Sequence, residues 1–209
     1  MLALLSLQQT KPDNVVLLES KSALFASLNS PNVLYTFPST GNIVWSVAYD
    51  PNGIYVAIGD DNGTVQIWDA PNRKLVQKIE VKDSIHGVSF SPDGKRLGIA
   101  RDVKASVWDV ESGTELFSLA GHDGNSIYDI AFSPDGKLIA TGGGDGLVKL
   151  WYATTGSLYV SLPGHEGSVK AIDFSPDGRQ LVSGSSDDTA IIWNVEDNTL
   201  LKRLRPDGF

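Results

Sequence analysis

Residues 132–151 read FSPDGKLIATGGGDGLVKLW and residues 174–193 read FSPDGRQLVSGSSDDTAIIW, so one pattern returns after 42 positions. Along the chain, an Asp-Gly or Asn-Gly pair recurs at spacings of 41, 42 and 42 residues, ending at Gly53, Gly94, Gly136 and Gly178. A tryptophan recurs at spacings of 40, 43 and 42 residues, at Trp68, Trp108, Trp151 and Trp193. Two independent markers with one period indicate a repeat protein of four units.

Each unit predicts four short β-strands separated by tight turns. In the third unit, SIYDIAF alternates in polarity, and SPDG then supplies a turn in which Pro134 presets φ and Gly136 accepts a positive φ. KLIATG, LVKLW and LYVSL follow as strands, separated by GGDG and TTGS. Four strands of about five residues per unit are typical of one blade of an all-β propeller.

The composition limits the classes of partner and chemistry. The chain has 209 residues, of which 41% are hydrophobic, so it can bury a sizeable core. Its net charge of −8 disfavours nucleic acid and membrane surfaces as partners. It has no Cys, which excludes disulfides, thiol catalysis and Cys-based zinc sites. The start, MLALLSLQQT, has no basic residue before its apolar run, so we expect a cytoplasmic protein without a signal peptide.

The four units resemble WD40 repeats, most clearly over residues 164–194, GHEGSVKAIDFSPDGRQLVSGSSDDTAIIWN. Trp68-Asp69 and Trp108-Asp109 carry the dipeptide that names the family, whereas the other two tryptophans are followed by Tyr152 and Asn194. The resemblance implies a WD40 β-propeller domain over residues 32–209. Its four repeats are expected at about 42–83, 84–125, 126–167 and 168–209, after an extra outer strand at 33–37.

Residues 1–31 predict a separate helical segment. Pro12 and Asp13 suit a first helical turn, Leu17, Leu24 and Leu28 share one face, and Pro31 ends the helix. The segment resembles the helical linker that precedes WD40 arrays in bacterial STAND-type signalling ATPases.

Two sets of residues invite a catalytic interpretation. His165, Ser183 and Asp187 suggest a Ser-His-Asp triad, but Ser183 lies inside a predicted strand rather than at an exposed elbow. The resemblance implies instead a structural hydrogen-bonded tetrad of His, Ser or Thr, Asp and Trp. Two complete tetrads are then expected: His122, Thr141, Asp145 and Trp151, and His165, Ser183, Asp187 and Trp193.

The first two units depart from the tetrad pattern. The first has Thr40, Ile58 and Asn62 with Trp68, and the second lacks the Ser or Thr and is shorter before Trp108. We therefore expect the first two blades to be the less rigid half. The sequence also lacks a nucleotide-binding glycine motif and metal-ligand spacing, so we predict no enzyme activity, no cofactor and no metal.

The resemblance implies that partners bind at one rim of the propeller, at two positions in each repeat. The first position holds Trp45, His86, Tyr128 and Lys170. The second position holds Asp61, Arg101, Gly144 and Ser186. Aromatic and basic residues are enriched in binding hot spots, although Trp45 and Tyr128 would also serve to cover their own blades.

Four blades are fewer than the six to eight of most closed WD40 rings. An open arc exposes two apolar faces, which a second copy, another chain or the helical segment at 1–31 as a cap could cover. We expect association that completes the ring, either as a homodimer or with another chain, rather than a capped monomer. The leading hypothesis is a non-catalytic scaffold or sensor module in signalling that binds proteins. The alternatives are a regulatory subunit of a bacterial signalling enzyme, such as a STAND-type ATPase or a protease, and a hydrolase that uses His165 and Ser183.

Overall fold

The structure, a computed structural model, describes residues 36–37 and 42–205. The predicted helical segment at 1–31 lies outside the described residues. Of the predicted outer strand at 33–37, only Thr36 and Phe37 are described, and neither belongs to a strand. Residues 42–205 form four antiparallel sheets of four strands, which we call blades 1 to 4. The prediction of four all-β propeller blades is confirmed.

Each blade is a meander in which the strands follow one another in chain order. Blade 1 contains β1 (Val44–Tyr49), β2 (Tyr55–Asp60), β3 (Thr64–Asp69) and β4 (Lys74–Glu80). Blade 2 contains β5 (Ile85–Phe90), β6 (Arg96–Arg101), β7 (Lys104–Asp109) and β8 (Glu115–Leu119). Blade 3 contains β9 (Ile127–Phe132), β10 (Leu138–Gly143), β11 (Leu147–Tyr152) and β12 (Leu158–Pro163). Blade 4 contains β13 (Val169–Phe174), β14 (Gln180–Ser185), β15 (Ala190–Asn194) and β16 (Thr199–Leu204).

The repeated Asp-Gly turn joins the first two strands of each blade. In blade 3, Ser133 Oγ donates to the Asp135 carboxylate at 2.7 Å and accepts from Leu138 N at 2.9 Å. Gly136 follows with a φ of +69°, a conformation that costs glycine nothing because it has no Cβ. The SPDG sequence returns because each of its residues satisfies part of this turn.

The apolar core lies between the blades rather than inside any one of them. The first strands β1, β5, β9 and β13 pack on one another in chain order. Each blade has a front face, which packs on the preceding blade, and a back face, which receives the following one. Between blades 2 and 3, the back face contributes Ala105, Val107 and Leu119, and the front face contributes Ile127, Ile130, Phe132, Ile139 and Trp151.

The two end blades each keep one face without a neighbouring blade. In the part of the chain that the structure describes, no contact comparable to those between neighbouring first strands joins β13 back to β1. On the back face of blade 4, Val182 and Leu204 remain 40% and 38% exposed. The described residues contain no helix that could cross a membrane.

Candidate functional site

One side chain per blade is set apart by a β-bulge at the start of the first strand. In blade 1, Val44 and Ser46 pair with the consecutive residues Asp60 and Gly59, so Trp45 between them has no partner in the strand pairing. The same irregularity recurs in the other three blades, at His86, Tyr128 and Lys170. A bulge redirects a side chain and often marks a functional site. The fold therefore brings the first predicted rim position of all four repeats to equivalent places.

These four side chains contact one another in chain order, and we call Trp45, His86, Tyr128 and Lys170 the aromatic row. The ring centroids of Trp45 and His86 lie 6.5 Å apart, and those of His86 and Tyr128 lie 5.5 Å apart. The Lys170 ammonium lies 3.1 Å from the centroid of the Tyr128 ring. Both kinds of contact lie within the range of favourable aromatic and cation–π interactions. Trp45, at the free end of the row, is 57% exposed.

The row carries charge as well as apolar surface. A hydrogen bond from Lys170 lowers the pKa of the Tyr128 hydroxyl below its ordinary value. His86 Nε2 lies 2.8 Å from an oxygen of Asp102, in the next turn of the same blade. The row therefore offers aromatic faces flanked by an ammonium and a carboxylate, a composition that suits contact with a protein.

The second predicted rim position differs between blades. In blade 1, the partly exposed Asp61 carboxylate accepts a hydrogen bond from Ile43 N at 3.1 Å. In blade 2, Arg101 is only 6% exposed, and its guanidinium lies 3.7 Å from the carboxylates of both Asp83 and Glu115. The turn after β6 is shorter than in the other blades, so Arg101 pairs with Lys104 inside the hairpin instead of reaching the turn. We therefore leave Arg101 out of the candidate surface.

In blade 3, the structure brings together all four residues of the expected tetrad. Trp151 Nε1 donates to Thr141 Oγ1 at 2.8 Å, and Thr141 Oγ1 lies 2.8 Å from His122 Nε2. His122 Nδ1 lies 2.9 Å from Asp145. Because a carboxylate only accepts, Nδ1 carries the proton and Nε2 accepts from the threonine hydroxyl. Burial lowers the pKa of His122, so the imidazole is neutral at pH 7.

Blade 4 repeats this arrangement with serine in place of threonine. Trp193 Nε1 donates to Ser183 Oγ, which lies 2.8 Å from His165 Nε2. His165 Nδ1 lies 3.0 Å from Asp187. Although burial raises it, hydrogen bonds from Thr189, the Glu166 amide and His165 hold the pKa of the Asp187 carboxyl well below its ordinary value.

The geometry of both tetrads is that of a catalytic triad, but its hydroxyls are inaccessible. Thr141 and Ser183 are completely buried in the middle of their blades. Each hydroxyl also accepts from the indole of a buried tryptophan, where a nucleophile would need open space for a substrate. Both sets therefore act as cross-links between strands and loops of one blade. Among the described residues, no three His, Asp or Glu side chains come together in a way that could hold a metal ion.

Blades 1 and 2 lack these cross-links. Trp68 Nε1 donates to Gln66 and Trp108 Nε1 donates to Ser106, each only two residues earlier in the same strand. In blade 1, the buried Asp60 caps the following turn by accepting from Asn62 N and Thr64 N. Thr40, the residue of unit one in the position of the tetrad histidine, lies outside the described residues.

Sequence reasoning missed two cations next to the tetrads, the buried Lys149 and the partly exposed Arg203. Lys149 Nζ donates to the carbonyl oxygen of Gly121, the residue before the tetrad histidine, and lies 4.0 Å from Asp145. Arg203 plays the same part in blade 4, where it donates to Gly164 O and lies 3.9 Å from Asp187. The two cations come from different strands, β11 and β16, so no repeated sequence position reveals their common role.

Four-stranded meanders that pack face to face in chain order, each with a tryptophan in its third strand, define a β-propeller repeat protein. The chain belongs to the WD40 family. The family model described as WD domain, G-beta repeat matches residues 31–69, 113–152 and 156–194, which is more than half of the chain. The interval between the first two matches contains most of blade 2, which lacks the tetrad and has the shortened turn.

Curated relatives are WD-repeat proteins of greater length. Actin-interacting protein 1 of Drosophila melanogaster is 26% identical over 68% of this chain and 24% of its own length. Actin-interacting protein 1-2 of Arabidopsis thaliana is 28% identical over 68% of this chain and 24% of its own length. WD repeat-containing protein 1 of Rattus norvegicus is 26% identical over 54% of this chain and 20% of its own length. The chain thus spans about a quarter or less of the length of these relatives.

Proposed function

We propose that this chain is a non-catalytic interaction module that binds protein partners along the aromatic row. The observation that carries the proposal is the bulge repeated in four blades, which takes Trp45, His86, Tyr128 and Lys170 out of regular pairing and brings their side chains into contact. Residues at the same repeat position but of different chemistry are what a recognition surface requires. The exposed indole of Trp45 and the partly exposed phenol of Tyr128 supply contact area, and Lys170 and Asp102 supply polarity at the edge.

The proposal includes completion of the ring by further blades. An apolar blade face that stays in water is unfavourable, and such faces commonly mark an interface. WD-repeat relatives support a protein as the partner class, and two of them are named for an interaction with actin. Actin is therefore one specific candidate for a direct binding assay.

A pull-down from the native host with the full chain as bait tests the proposal. Trp45→Ala and Tyr128→Ala are each expected to weaken capture of the specific partner at least roughly tenfold, as loss of a hot-spot aromatic does. Tyr159→Ala is the matched control, because Tyr159 is a partly exposed tyrosine on the outer strand of blade 3, away from the row. Undiminished binding of both row variants would refute the aromatic row as the binding surface.

A further inference from the structure

Neighbouring blades contact each other at an equivalent residue in each second strand, which we call the seat. The fifth residue of each second strand faces the first residue of the following blade's first strand. A Cβ added at Gly59 would lie 2.6 Å from Ile85, and one added at Gly142 would lie 2.7 Å from Val169. Between blades 2 and 3 the seat is Ala100, which shares a buried cluster with Ile127. The seat thus admits a hydrogen or a methyl group below a β-branched side chain.

Blade 4 presents the same seat without an occupant from the described residues. Gly184 is the fifth residue of β14, and a Cβ added there would meet no atom within 4 Å. The positions around it are apolar in both blades 3 and 4. In blade 3 they are nearly or completely buried: Ala140, Val148, Leu150 and Leu162. In blade 4 they are partly or largely exposed: Val182, Ala190, Ile192 and Leu204. The back face of blade 4 therefore keeps the composition of a surface that is covered by another blade.

Blade 1 presents the matching front face. Val44 is the first residue of β1, the position that Ile85, Ile127 and Val169 hold in the blades that fill a seat. Val44, Val47 and Tyr49 pack around the buried cluster of Val56, Ile58 and Trp68, with no preceding blade among the described residues to cover them. The first residue of the face is β-branched, as in each occupied seat.

We infer that the back face of blade 4 receives blade 1 of a second copy of this chain, with the partner's Val44 seated on Gly184. This inference rests on the proposed completion of the ring. Two copies related by a two-fold axis make this contact twice, so both faces that lack a neighbouring blade are covered by one and eight blades close on one another. The same docking brings the partner's Trp45 next to Lys170, which extends the aromatic row from one copy into the other by a further cation–π contact.

Phe37 stands in the place that the second copy would use. Its ring packs on Trp68 at a centroid distance of 5.6 Å, on the front face of blade 1. Leu119 and Leu162, from the outer strand of the preceding blade, share a buried cluster with Trp151 and Trp193 in the same way. The corresponding residue of blade 4 is Leu204, which pairs with Ala190 as Leu162 pairs with Val148. In the dimer the partner's Leu204 takes this place and Phe37 moves aside.

Light scattering of the full chain over a range of concentrations tests this inference. The expected mass is about 45 kDa, twice the 22.4 kDa of one chain. Gly184→Trp places an indole in the seat, where a Cβ would meet no atom of its own copy within 4 Å, and it is expected to raise the dimer dissociation constant at least roughly 100-fold, because both symmetric contacts are overpacked. Gly184→Ala is the graded control and should weaken the dimer far less than Gly184→Trp, since blade 2 has Ala100 at this position. Phe37→Ala should leave the dimer equally tight or tighter.

Three outcomes would overturn the inference. They are a 22.4 kDa species at all concentrations, a dimer that Gly184→Trp leaves intact, and a dimer that Phe37→Ala dissociates. The last would show that the segment around Phe37 belongs to the interface. These masses do not depend on partner binding, so a monomer that still captures a partner through Trp45 and Tyr128 would remove the second copy and leave the proposed function standing. A stable dimer whose partner capture is unchanged by Trp45→Ala and Tyr128→Ala would refute the proposed function and leave the second copy standing.

Discussion

Replacing Asp129 with Asn is expected to stabilise the protein at neutral pH. The Asp129 carboxylate lies between blades 3 and 4, where it accepts from Ile172 N of β13 at 2.8 Å and from its neighbour Ile130 N at 2.9 Å. Loss of hydration raises the pKa of this carboxyl to about 6 from an ordinary value of 3.8, and the nearby Asp173 adds to the rise against the two hydrogen bonds.

The magnitude follows from the difference between the folded and unfolded pKa. Between about pH 4 and pH 6 the folded protein holds a proton that the unfolded chain has already released, so the free energy of unfolding falls as the pH rises through this window. A rise from 3.8 to about 6 corresponds to about 3 kcal/mol at ~1.4 kcal/mol per pH unit. Since part of the Asp129 side chain still contacts solvent, this is an upper value. Asn has no charge to desolvate and keeps one acceptor oxygen for Ile172 N, while its NH2 group replaces the oxygen that accepts from Ile130 N, which reduces the gain below this upper value.

Urea unfolding of the wild type and of Asp129→Asn at pH 4 and pH 7.5 measures this effect. The variant should match the wild type at pH 4 and exceed it by up to about 3 kcal/mol at pH 7.5. Ser46→Ala is the control, because Ser46 Oγ accepts from Val88 N at 3.0 Å across the contact between blades 1 and 2 and does not titrate in this range. It should cost about 1 kcal/mol at both pH values. A stability gap for Asp129→Asn that is the same at both pH values would refute the reasoning.

Three further predictions concern the blades themselves. Thr141→Val keeps the side-chain shape but leaves the buried His122 and Trp151 nitrogens unpaired, so urea unfolding should show a loss of about 2–4 kcal/mol; a loss below about 0.5 kcal/mol would contradict the tetrad's role. Backbone amides of blades 3 and 4 should exchange with deuterium more slowly than those of blades 1 and 2, and slowest exchange in the first two blades would contradict this. At a concentration where the chain is monomeric, Gly142→Ala should cost about 1–3 kcal/mol because its Cβ would meet Val169, whereas Gly184→Ala should cost much less; equal losses would argue against the seat.

The fold was predictable from the sequence because its signals are local. Every Asp-Gly turn and every strand lies within one repeat, and the turn chemistry of SPDG is complete within six residues. The contacts between blades were not predictable, because Asp129 and Ser46 each bond an amide 42 or 43 residues away, and the equivalent residue in blade 2 is Gly87. The repeated sequence pattern does not predict these hydrogen bonds between blades, because only blades 1 and 3 make them.

The candidate site was also predictable only in part, namely in what depends on local sequence. The sequence identified the aromatic row by its repeat position, yet the bulge that groups its side chains has no residue signature apart from the apolar residue before it. For Arg101, by contrast, the repeat position did not predict where the side chain lies. One residue fewer in the turn after β6 moved it from the rim into the buried face of its own hairpin, where Asp83 and Glu115 surround it.

The bulge also separates the residues of the aromatic row from the residues that pack the blades together. A residue in regular pairing packs beside its cross-strand partner on one face of the blade, so changing it disturbs the packing between neighbouring blades. A bulged residue has no cross-strand partner, and in the four blades this place holds an indole, an imidazole, a phenol and an ammonium group with no change in the strands around it. The residues on either side of it hold the fold, since Val44, Ile85, Ile127 and Val169 fill or match the seats between blades. Each first strand therefore places a bulged residue directly beside one fixed by packing, and under the proposed function substitutions in the row are expected to change partner binding more than the free energy of unfolding.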